Sequence, residues 1–180
     1  MGGVAADPES HHFSGQTCIL SGEDLLRFRR LVAFYEAGRA VMAWDAGLHL
    51  PRFSIYPEQH ARGRILVEQA FPSGDSGRDR NEQRVYLRLL AAGPIAVVMA
   101  GGKIPVDPEV GIQLDSHRIA VFVRRAGLDI DSVFRETAVK LAYLWEPVER
   151  LANALVMHET VSGPLASRII RESHPGELLE

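Results

Sequence analysis

Residues 33–44 read AFYEAGRAVMAW. They are the middle of a longer run, LLRFRRLVAFYEAGRAVMAWDAG, in which Phe28, Leu31, Phe34, Val41 and Met42 recur at helical spacing. Ser21 followed by Asp24 is a capping-box variant suited to the entrance of that helix. Gly47 suits its exit, and Pro51 blocks any continuation. Three polar side chains, Tyr35, Glu36 and Arg39, interrupt the apolar pattern at its centre. Glu36 and Arg39 stand i, i+3, so they are neighbours on one helix surface.

Outward from this helix the pattern stays mostly helical. Residues 52–57 (RFSIYP) and 63–69 (GRILVEQ) are short β candidates, joined through EQHAR into an expected hairpin. A second long helix is expected from about Asp79 to Ala100, kinked or divided by Pro94 and stopped by Gly101 and Gly102. A third is expected near Gln113–Ala126. A fourth, capped by Asp131, continues through SVFRETAVKLAYLW to a break or fresh start at Pro147, and VERLANALVMHE carries on helically. Ser162-Gly163-Pro164 opens a last short helix, because proline suits a first turn. The fold class is mainly α with one small β-hairpin.

The chain has 180 residues, enough for one domain with a sizeable core. Its net charge of −3 argues against a nucleic-acid partner, although 18 of its 20 basic residues are arginine. A lone cysteine, Cys18, excludes an internal disulfide framework and any multi-cysteine zinc site. No apolar run is long enough to span a bilayer, so membrane insertion is not expected. The N-terminus lacks the basic and apolar regions of a signal peptide, and Ala6 breaks the myristoylation pattern. The organisation expected is a flexible arm over 1–16, a folded domain over 17–173 and a flexible tail over 174–180, in a cytoplasmic protein.

The stretch Tyr35-Glu36-Ala37-Gly38-Arg39 resembles the zinc-motif helix of the FtsH-type ATP-dependent membrane metalloproteases, whose pattern is His-Glu-Ala-Gly-His. Further segments resemble that family in the same order. Residues 53–63 are similar to its edge-strand segment, and 89–101 to its glycine-containing helix. Residues 111–125 resemble the segment bearing its third zinc ligand, with Gly111 and Asp115 at the family's spacing. Residues 138–170 resemble its final helices and their turn, so the likeness spans roughly residues 24–172. It implies an FtsH-peptidase-like helical domain with the hairpin beside a former active-site cleft.

The same comparison implies that the metal site is lost. Two histidines at i and i+4 on one helix would give neutral nitrogens to zinc, with the adjacent Glu as general base. Tyr35 and Arg39 replace them. A phenol with a pKa of ~10 is a poor zinc ligand, and a guanidinium has no lone pair to donate. Of the family's set only a vestigial Glu36 and Asp115 remain, and carboxylates without nitrogen partners rarely hold catalytic zinc. The resemblance therefore implies no catalytic residues, no metal and no cofactor, in a domain acting by protein or peptide binding or as a homo-oligomer.

Two arrangements of Arg39 follow. Its charge stands where the metal sat and pairs with Asp115 and Glu36, or it points to solvent and pairs only with Glu36. The alternative function is a divergent metal-dependent hydrolase using Glu36, Asp115 and an unidentified histidine among His49, His60, His117 and His158. Asp115 and His117 diverge at i, i+2, which weakens it. Arg80, Arg84 and Arg88 share a helix face that suits an acidic partner, or else are a solvated face. Cys18, Ser73, Ser76 and Ser116 lack any nucleophile signature.

Overall fold

A computed structural model describes residues 22–55, 80–101 and 129–174. Among these residues it has five helices and a two-stranded sheet: α1 Gly22–Asp45, β1 Phe53–Ser54, α2 Arg80–Met99, α3 Ile130–Tyr143, α4 Trp145–His158, β2 Thr160–Val161 and α5 Gly163–Ser173. The fold is mainly helical, as the periodicity predicts. Helix α1 is the hub, packing against α2 and α4, while α2 also holds α3 and α4 holds α5.

The α1–α2 seam is built on small residues. A Cβ at Gly38 would lie 2.5 Å from the Ala96 Cβ and 2.8 Å from the Ala92 carbonyl oxygen, so only glycine allows this approach. On α2, a Cβ at Gly93 would strike the Tyr35 ring at 2.7 Å. One turn away Leu31 packs with Tyr35 and Val97. Contacts descend along α2 as they climb α1, so the helices cross in an antiparallel sense. The core then fills with Leu87, Leu89, Leu90, Leu141, Leu144, Leu151, Leu155 and Ile170, all essentially without exposed surface. The Phe34 and Trp145 rings stack at 5.7 Å, fixing the start of α4 against α1.

Several local expectations change. Pro94 does not divide α2, which is one helix through Met99. The N-cap of α3 is Asp129, whose side chain accepts from the Asp131 backbone N–H; Asp131, the expected cap, lies in the first turn. Helix α4 begins at Trp145, with Pro147 inside its first turn, where the missing N–H costs no helical hydrogen bond. Ser162 caps α5 and Pro164 sits in its first turn, as expected. A Cβ at Gly163 would run into the Leu50 carbonyl, so this start also needs glycine.

Among the described residues, β1 finds a partner far along the chain. Strand β1 pairs antiparallel with β2, Phe53 opposite Val161 and Ser54 opposite Thr160. The expected hairpin segment 63–69 lies outside the described residues, as do the arm 1–16, Cys18, Ser21, the helix near 113–126 and residues 175–180. The turn into β2 places Glu159 in the left-handed region at φ 61. There its carboxylate holds Arg29 and its carbonyl accepts from the Ile55 N–H.

The arginine row of α2 is no simple solvated face. Arg84 and Arg88 both reach Glu136 on α3, and Ser132 donates to the same carboxylate at 2.9 Å. The Arg88 hydrogen bond, then that of Ser132, holds the Glu136 carboxyl below its ordinary pKa.

The seam makes a prediction. Gly38→Ala should destabilise the protein by about 1–3 kcal/mol, the usual cost of overpacking. Adding Ala96→Gly should recover part of it, so that denaturation of the double variant shows less than the summed loss. Strict additivity would mean that the seam is not closed at Gly38.

Candidate functional site

Residues 35–39 lie at the α1–α2 crossing, with three side-chain environments in one turn. Ala37 and Gly38 face the core and α2. The Tyr35 ring packs against Gly93, almost fully buried. Arg39 is 1% exposed, the largest fully buried side chain among the described residues.

The solvent-facing arrangement of Arg39 is therefore excluded. Its guanidinium carbon stands 5.2 Å from the Tyr35 ring centroid. Its Nε–H donates to the Leu89 carbonyl across the seam at 3.5 Å, a long and weak contact. A cation over a desolvated ring is worth roughly 2 kcal/mol, so the phenol offsets part of the cost of burying the charge. Tyr35 and Arg39 thus pack on each other.

Glu36 is half-buried on the same turn. Burial pushes its carboxyl above the ordinary value of 4.5, and the nearby Arg39 charge only partly counters that rise. A carboxyl raised in this way is a weaker metal ligand, because the proton competes for the oxygen. It also has the character wanted in a general acid or base.

Asp115, His60 and His117 lie outside the described residues, so the expected Arg39–Asp115 pair does too. His49 is exposed in the loop between α1 and β1, and His158 ends α4. Among the described residues, no three His, Cys, Asp or Glu side chains are grouped to hold a metal ion. No described helix is long and apolar enough to cross a membrane.

One cluster had no clear signal in the sequence. Trp44 at the end of α1, Tyr143 at the end of α3 and His174 at the C-cap of α5 bring their rings together, with His174 5.5 Å from Trp44 and 6.1 Å from Tyr143. Periodicity assigns such aromatics to the core, but Tyr143 is 56% exposed. Against known proteins, the chain matches no family model and no curated protein.

The Glu36 environment fixes a pH dependence. Below the ordinary 4.5 both folded and unfolded chains hold this carboxyl protonated. As pH rises, the unfolded chain ionises first and native stability is lost until pH passes the folded-state value. Glu36→Gln removes that loss. Its stability relative to wild type should rise from pH 4.5 upward, read by urea denaturation across the range. A difference independent of pH would contradict the burial of this carboxyl.

Proposed function

We propose that the chain is an FtsH-peptidase-like domain that has lost its metal and works by binding another protein, a peptide or a second copy of itself. The observation that carries this reading is the buried Arg39. The resemblance puts this residue where a second zinc-binding histidine would stand, and its permanent charge is held inside the helix crossing.

The magnitudes favour exclusion of metal. Two unit charges 4 Å apart interact by about 4 kcal/mol at an effective dielectric of 20, and a divalent ion doubles that to about 8 kcal/mol of repulsion. This offsets at least half of the ~10–16 kcal/mol that a structural zinc site yields. Relief would require Arg39 to leave the helix crossing in which it is buried. With no metal-bound water to activate, Glu36 has no general-base role of the zincin kind. The Arg39 charge offsets only part of the cost of burying the Glu36 carboxyl.

The second reading, a divergent metal-dependent hydrolase, draws on the raised Glu36 carboxyl. It needs Asp115 and a histidine to supply the remaining ligands.

Metal analysis of protein purified without a histidine tag separates the two. The expected result is zinc far below one per chain and no chelator-sensitive cleavage of casein. Stoichiometric zinc with chelator-sensitive cleavage would establish the hydrolase. The double substitution Tyr35→His with Arg39→His tests the ancestry: it removes the cation and restores two nitrogens one turn apart, so zinc uptake is expected.

A further inference from the structure

Helix α3 buries Val133, Thr137 and Leu141 and turns its opposite side outward. Val139 is 66% exposed there, and Ala142 and Tyr143 are exposed with it. Asp131, Arg135, Val139 and Tyr143 step four residues at a time, so they form one stripe along the helix. Tyr143 ends the stripe with its ring edge-on to His174. Leu144 alone separates α3 from α4: its N–H donates to the Lys140 carbonyl and its carbonyl accepts from the Val148 N–H. Glu146, Glu149 and Arg150 follow at exposed positions of α4. Exposed apolar surface rimmed by charge is characteristic of an interface.

The charges decide what fits this surface. Three groups near it are already engaged inside the molecule: Asp129 caps its own helix, Lys140 pairs with Asp45, and Glu136 holds Arg84 and Arg88. Arg150 and Glu146 pair with each other at 2.7 Å, but an exposed i, i+4 pair is weak and its members exchange partners readily. Asp131, Arg135 and Glu149 make no ion pair with any described residue. The outward charges are therefore negative at 131, positive at 135, negative at 146 and 149, and positive at 150. Ala138, Val139, Ala142 and Tyr143 lie between them. Such mixed signs favour neither a strongly acidic nor a strongly basic partner.

The order is instead complementary to its own reverse. Two α3 helices can lie antiparallel, with a two-fold axis level with residues 140 and 141. Arg135 then stands opposite Glu146 of the second copy, and Asp131 opposite its Arg150. Val139 covers Ala142 of the second copy, and Ala138 its Tyr143. Glu149 falls opposite the neutral Ser132. Opposite charges thus close both ends of an apolar centre, in the self-complementary manner that a two-fold interface requires.

We infer that the outward stripe of α3, with the first turns of α4, is the interface of a homodimer in which the two α3 helices lie antiparallel. This rests on the binding role proposed above, from which it selects a second copy as the partner, and it does not depend on the metal question at residues 35–39. A face one helix wide buries less than the ~1,200 Å² of stable interfaces, so the dimer is weak and depends on concentration.

Sedimentation equilibrium of the full chain up to about 1 mM tests this. The expected result is a reversible monomer–dimer equilibrium. Val139→Asp should raise the dimer Kd about tenfold or more. Arg135→Glu and Glu146→Arg should each weaken the dimer similarly, because each sets like charges opposite one another at both ends. An equal mixture of these two charge variants should dimerise again, since each then meets the opposite charge on the other. All three positions are exposed, so the variants should fold, and circular dichroism checks this. A wild-type chain that stays monomeric at about 1 mM would overturn the proposal and leave the face to a different partner. So would a dimer that Val139→Asp leaves unchanged, or a mixture that does not recover. Stoichiometric zinc with casein cleavage would instead remove the metal-free reading and leave the dimer standing.

Discussion

The close approach of α1 to α2 at Gly38 is the constraint from which the rest follows. With no side chain there, the Ala92 and Ala96 surface comes into backbone contact. That distance presses the Tyr35 ring onto Gly93 and carries Arg39 to the Leu89 carbonyl. A wider crossing would leave room for water beside Arg39 and would relax the raised carboxyl of Glu36. Small residues at the seam and large leucines around it are thus two parts of one packing solution.

A buried guanidinium is costly, and its persistence here needs compensation. Three contributions are visible: the Tyr35 face, the Leu89 carbonyl and the Glu36 carboxyl. Each is modest, and together they accompany a fixed positive charge inside a helix crossing. The fixed charge needs no metal supply and cannot activate water. On the ancestry proposed above, two replacements, at positions 35 and 39, exchanged a catalytic cation for a structural one, leaving binding as the function open to the domain.

Much of the helical fold was legible because its signals are local. The apolar spacing of Phe34, Val41 and Met42 marks α1, and Ser162-Gly163-Pro164 marks the start of α5. What was not legible depends on contacts far apart in sequence. Nothing near Phe53 announces Val161 as its partner, since a two-residue ladder has no period to read. Asp129 and Asp131 are equal candidates for a cap until the backbone bends at one of them. In the site, the pairing of Tyr35 with Gly93 and of Arg39 with Leu89 joins residues some fifty positions apart, so burial of Arg39 could not be separated from exposure by spacing alone. The Trp44–Tyr143–His174 cluster was hidden for the same reason.

The central claim is that the Arg39 charge holds the place of a metal. Anomalous X-ray scattering at the zinc edge, from crystals of the wild-type protein soaked in zinc, tests it most directly. The account predicts no anomalous peak beside Arg39 or Glu36, with the guanidinium still against Tyr35. A zinc peak bound by the Glu36 carboxylate, with Arg39 swung out of the crossing, would contradict it.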